Sequence, residues 1–182
     1  MIFEALQLLS GQLNDYLKIR FRLTEDIVFI SPIKDTAKAF PNRVAITLAG
    51  LERETAGGVN FQRRTVSDST SAQSAPSWQI NLNILISVIF QEKQYEESLR
   101  LFSAVVAFIQ KNNMVRGSNE GLVFSLEVVN LSMHELSNLW SISGENYYPS
   151  VLCKIRLLEV DAGEIMDLSY IISKPQSNTQ LK

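Results

Sequence analysis

Histidine and cysteine, the side chains that most often serve as base, nucleophile or metal ligand near neutral pH, occur once each in this chain, as His134 and Cys153. A general base needs a partner group within hydrogen-bond reach, and a structural zinc site needs about four nitrogen or sulfur ligands, so this chain cannot furnish a zinc site of that type. His134 falls in the first turn of a predicted helix beside Met133 and reads as a solvent-facing residue. Cys153 stands among strand apolars and reads as a small buried hydrophobe. Being single, it excludes an internal disulfide and suits a reducing compartment. Gly57 and Gly58 lack the lysine and the serine or threonine of a phosphate-cradling loop, and no acidic cluster suggests a carboxylate metal site. The expectation is therefore no catalytic residue, no cofactor, no metal and no enzymatic activity.

The remaining notable side chains suit macromolecular contact. Arg53, Arg63 and Arg64 lie near Phe61 in a polar stretch, a mixture that in a basic protein would suggest nucleic acid, since arginines pair with phosphates and aromatics stack on bases. Here 17 basic residues face 19 acidic ones, for a net charge of −2, so no overall field draws a polyanion. The arginines fit docking onto an acidic protein surface, and nucleic acid is not an expected partner. Tyr147 and Tyr148, beside Pro149, suit either the rim of the core or the anchor of a subunit contact, while Trp140, at the end of an apolar helix face, reads as core.

These residues must be held by a scaffold. Ile2, Phe3, Leu6, Leu9, Leu13 and Leu17 mark one side of a helix over about residues 2–21, with Glu4, Gln7, Asn14 and Lys18 on its polar side. Ile27 to Ile30 is a short apolar run ended by Pro32. Val44, Ile46 and Leu48 alternate with Ala45, Thr47 and Ala49, and alternation resumes from Trp78 to Phe90, so two long strands flank the polar stretch 52–77. That stretch, rich in serine and threonine, reads as a long loop.

The periodicity from Tyr95 to Gln110 sets Leu99, Phe102, Val106 and Ile109 on one face of a second helix. Another strand follows from Leu122 to Val128. Ser132 with Glu135 three residues later is a capping box, which starts a helix carrying Met133, Leu136, Leu139 and Trp140, and Gly144 is its stop. Ser150 to Val160 alternates as a strand. The tail from Asp161 to Lys182 carries Leu168, Tyr170 and Ile172 in an apolar cluster, and reads as an arm that folds back as an edge strand or adds a strand to a neighbour.

With 182 residues, 46% of them hydrophobic, the chain suits one core, so the reading is a single α/β (α+β) domain over 1–160 followed by the arm 161–182. A mixed, largely antiparallel sheet of about four to five strands carries the helices on it. No apolar run reaches the roughly 20 residues a spanning helix needs, and the start lacks secretory-signal character. The expectation is a soluble protein made in the cytoplasm, without direct membrane insertion.

The run Asn130, Leu131, Ser132, Glu135, Leu136, Ser137, Asn138, Leu139, Trp140, followed by Tyr148, Pro149, Ser150, Val151 and a basic strand, resembles the cap or tail-terminator proteins of contractile injection systems, including antifeeding-prophage-like particles. The resemblance extends to Leu13, Asn14, Tyr16 and Leu17, to the strands 42–51 and 80–90 and to the helix 95–110. It implies a phage tail-terminator fold and a structural role. A hexameric ring would close the distal end of the inner tube and sheath and stabilise the extended sheath. It also implies assembly in the cytoplasm into a particle that is released or anchored. The same resemblance leaves open a baseplate or sheath-adaptor position. Arg53, Phe61, Arg63, Arg64, Tyr147, Tyr148, Leu168, Tyr170 and Ile172 are the residues expected at the partner interface.

Overall fold

A computed structural model describes residues 1–32, 42–54, 62–67, 70–74, 78–117, 122–144, 147–160 and 165–170. In chain order these form α1 (Ile2–Phe21), β1 (Val28–Ile30), β2 (Arg43–Arg53), β3 (Gln62–Ser67), β4 (Thr70–Ser74), β5 (Trp78–Ile89), a 3-10 turn (Glu92–Gln94) and α2 (Tyr95–Lys111), then β6 (Met114–Arg116), β7 (Val123–Val128), α3 (Met133–Ser143), β8 (Ser150–Val160) and β9 (Ile165–Tyr170). Two compact units result, one from residues 1–53 and 80–158 and the other from residues within 54–79 and 159–182.

The first unit is a six-stranded sheet in the order β1-β2-β5-β8-β7-β6. β1 runs parallel to β2, whereas β2 with β5, β6 with β7 and β7 with β8 are antiparallel. Six strands exceed the expected four to five. Met114–Arg116 is too short for alternation to show, and only pairing with β7 reveals it as a strand. In β2 a bulge at Ala49 shifts the register, so that Leu48 opposes Ile84 but Gly50 opposes Asn83. The extra residue puts Leu51 on the same sheet face as Leu48, where simple alternation would have turned it away.

One sheet face meets two helices. Leu9, Leu13 and Leu17 of α1, Val105 and Phe108 of α2, Ile46 of β2, Ile84 and Ile86 of β5, Phe124 of β7 and Ile155 of β8 belong to one buried cluster. Burying such side chains is the main favourable term in folding, each contributing about 1.5–3 kcal/mol. Leu85 and Ile89, on the opposite face of β5, are buried as well, so this central strand is covered on both faces.

Both long helices are turned differently from the expected faces. In α2 the buried residues are Ser98, Leu101, Ala104, Val105, Phe108 and Ile109, leaving Leu99 and Val106 exposed. The helix carries two adjacent apolar stripes, and periodicity alone does not say which one meets the sheet. In α1, Phe3 is exposed and Asn14 is buried, the reverse of the expected placement. Asn14 Oδ1 accepts hydrogen bonds from the Ile27 and Val28 amides at 3.0 and 3.2 Å, which satisfies a polar side chain that burial would otherwise penalise.

The second unit contains an antiparallel sheet in the order β3-β4-β9. The stretch 52–77, expected to be a loop, thus holds the end of β2 and two strands, and the arm supplies the third. Serine and threonine favour turns in isolation, yet a polar strand still forms where backbone partners are available on a neighbour.

Candidate partner interface

α3 starts where the capping box predicts. Ser132 Oγ accepts from the Glu135 amide at 3.3 Å, and Glu135 Oε2 accepts from the Ser132 amide at 2.8 Å. The bond from the Ser132 amide, and after it one that Ser132 Oγ donates to Glu135 Oε2 at 2.8 Å, hold the Glu135 carboxyl below its ordinary value. Gly144 ends the helix in the left-handed region at φ 68°, a conformation that costs glycine little. The Pro149 carbonyl accepts from the Val88 amide at 2.9 Å, which ties the entry to β8 to the end of β5.

Between those fixed points lie Trp140, Tyr147 and Tyr148. Trp140 is 4% exposed and packs edge-on against both tyrosines, with ring centroids 5.9 Å from Tyr147 and 5.8 Å from Tyr148. Tyr148 is half-buried, while Tyr147 is 58% exposed. Tyr147 borders two depressions. One, of about 450 Å³, is lined by Val88, Phe90, Gln91, Tyr95 and Tyr148 among others. The second, of about 470 Å³, follows α3 along Met133, Leu136, Ser137, Trp140 and Ser141. Met133 and Ile142 of α3 are almost fully exposed. Large rings on a rigid base, open on one side, are the kind of surface that anchors a protein contact.

A polar row crosses the same unit. Lys154 Nζ lies 2.7 Å from Glu52 Oε2, Asn83 donates to Glu52 Oε1 at 2.6 Å, and Arg156 Nε lies 2.9 Å from Glu127 Oε2. Lys154, and after it Asn83, hold the Glu52 carboxyl below its ordinary value. Arg53 is the exposed last residue of β2, one position from this row.

The other expected residues fall in the second unit. Arg63 and Arg64 are in β3, and Leu168 and Tyr170 are in β9. The register places Arg64 opposite Ala72 and Ala72 opposite Leu168, so the polar stretch and the arm share one row of one sheet. Phe61 and Ile172 lie outside the described residues. Leu99 and Val106, expected on the packed face of α2, are exposed, and Asn14, expected toward solvent, is buried. Among the described residues, it is the bonds from the Ile27 and Val28 amides that relocate Asn14.

Nothing in this arrangement collects reactive groups. His134 is exposed on α3, and burial pushes the Cys153 thiol up to about 12, which keeps it protonated and inert. Among the described residues no group of three or more histidine, cysteine, aspartate or glutamate side chains is placed to hold a metal ion. No helix of the described residues is long and apolar enough to cross a membrane.

Comparison with known proteins gives a family and a fold. Residues 4–173 match the family model described as the Pvc16 N-terminal domain. The cryo-EM structure of the PVC sheath/tube terminator of an extracellular contractile injection system, in its extended state, is similar over 100% of this chain, at 16% identity and a TM-score of 0.72. The anti-feeding prophage cap, a tube terminating cap, is similar over 96% of this chain, at 14% identity and a TM-score of 0.51. The chain spans 64% of the first protein's length and 58% of the second's. No curated protein sequence matches the chain.

Proposed function

The chain belongs to the Pvc16 N-terminal domain family, and from that premise we propose that it is a tail terminator of a contractile injection system, a structural cap rather than an enzyme. The observation that carries this reading is the match over residues 4–173, supported by a fold likeness that takes in the whole chain. The proposed partners are further copies of the chain, arranged as a hexameric ring, and the sheath and inner-tube subunits at the distal end of the tail. Its assembly takes place in the cytoplasm, and by closing the tube the ring stabilises the extended sheath.

Physically the proposal asks for two unlike faces that close on themselves, since a cyclic ring is built from heterologous contacts. The exposed Tyr147 between its two depressions is a candidate for one such face in the first unit. Arg63, Arg64, Leu168 and Tyr170 are candidates in the second. Mass measurement of the purified protein, alone and mixed with tube and sheath subunits, tests the reading. A ring mass, and complexes with both subunits, are expected. Labelled particles should carry the signal at the end away from the baseplate. A strict monomer that ignores both subunits would overturn the proposal.

A further inference from the structure

The outer edges of the six-stranded sheet are both bonded to the same short stretch of α1. At β1, the Val44 amide donates to the Ile27 carbonyl and the Ser31 amide donates to the Ile46 carbonyl, so alternate residues of this segment face β2 and the groups of Val28 face away. Those outward groups are occupied: Asn14 Oδ1 accepts from the Val28 amide at 3.2 Å, and Ser10 Oγ donates to the Val28 carbonyl at 3.4 Å. At β6, bonds from the Leu126 amide to the Asn113 carbonyl and from the Gly117 amide to the Leu122 carbonyl turn Asn113 and Gly117 toward β7. Arg116 therefore faces away from β7, and its carbonyl accepts from Gln12 Nε2 at 2.9 Å.

These bonds constrain the shape of the unit. In a flat sheet β1 and β6 would stand about 24 Å apart, five strand spacings of about 4.8 Å. Ser10, Gln12 and Asn14 sit on one helix with a diameter of about 10–12 Å, Ser10 and Asn14 on one flank of its buried leucine stripe and Gln12 on the other. The two edges can reach that helix together only if the sheet curls until roughly one helix width separates them. α1 fills the resulting seam, with Leu9 and Leu13, both 0% exposed, directed inward.

We infer that α1 is an edge guard: through Ser10, Gln12 and Asn14 it occupies outward backbone groups of both β1 and β6 and so closes this sheet to added strands, including those of a second copy of the chain. Unpaired strand edges are templates for association, and covering them is a standard protection. The inference rests on the described bonds of the first unit and is independent of the terminator reading. It also bears on that reading, because a partner that binds by strand addition would have to do so elsewhere than at β1 or β6.

Amide hydrogen exchange on the intact protein is the direct test. The Val28 amide should exchange as slowly as an interior ladder amide. In Asn14→Ala it should exchange roughly fivefold faster, the loss expected for one ordinary hydrogen bond, while Ile84 and Ile86 stay protected. Loop-like exchange of Val28 in the unaltered protein would overturn the inference without any variant. Sedimentation velocity then reads the consequence. Gln12→Ala, which leaves the buried leucines in place, and the triple alanine variant at Ser10, Gln12 and Asn14 should both self-associate beyond the unaltered protein at equal concentration. If the folded Gln12→Ala variant sediments unchanged, the guarding role is refuted.

Discussion

Trp140 and Tyr147 meet edge-on at 5.9 Å, yet one is almost wholly buried and the other is more than half exposed. The indole thus fixes the base of a ring that is otherwise open to solvent. This division of labour separates stability from contact: changing Trp140 should damage the fold, and changing Tyr147 should damage chiefly what docks on it. Trp140→Ala is expected to lower stability by about 3–5 kcal/mol, as for other buried tryptophans, measured by denaturant unfolding. Tyr147→Ala should lose only about 0.5–1.5 kcal/mol, the worth of one aromatic pair, while lowering ring or partner assembly in the mass measurement. Equal stability losses for the two variants would contradict the arrangement.

The capping box of α3 has a pH signature. The Glu135 carboxyl is held below its ordinary value of 4.5 by Ser132, so its contribution is present above that value and is lost as pH falls through the lowered one. Ser132→Ala should destabilise by about 1 kcal/mol at neutral pH, with a difference that narrows below pH 4.5. Thermal unfolding across that range reads both effects.

Glu52 makes a similar case across the sheet. Lys154 and Asn83 lower its titration point from 4.5, so the pairing is complete at neutral pH and fades in acid. Lys154→Met should move the Glu52 titration up toward 4.5, followed by NMR, with little change in neutral stability because exposed ion pairs contribute little. A titration point that stays put would mean the 2.7 Å contact does not persist in solution.

Cys153 is fully buried and its thiol is raised to about 12, so it should resist a thiol reagent in the folded protein. Labelling should appear only as the unit unfolds, at a rate that follows global opening. Prompt labelling at neutral pH would show β8 to be open.

For the second unit, Arg63→Glu with Arg64→Glu is a cleaner probe than truncation. Deletion from Ile165 onward removes β9 and leaves β4 without the partner it has across Thr70 to Ser74. Charge reversal in β3 retains all three strands, so an assembly defect with unchanged circular dichroism would point to the arginines themselves. Unchanged ring formation and unchanged tail docking would remove them from the interface.

By itself, the sequence determined what depends on neighbours a few residues apart. The capping box from Ser132 to Glu135, the stop at Gly144, the limits of β8 and the burial of Trp140 all follow from helix ends and short-range periodicity. Tyr147 and Tyr148 were legible as contact-capable aromatics beside Pro149, but their packing on that indole and their unequal exposure were not. Only the tertiary structure decided which stripe of α2 meets the sheet, that Asn14 turns inward to the amides of Ile27 and Val28, and that 70–74 pairs with both 62–67 and 165–170. In each case the choice rests on which distant surface offers an apolar face or an unpaired backbone group, and that surface is absent from the local chain.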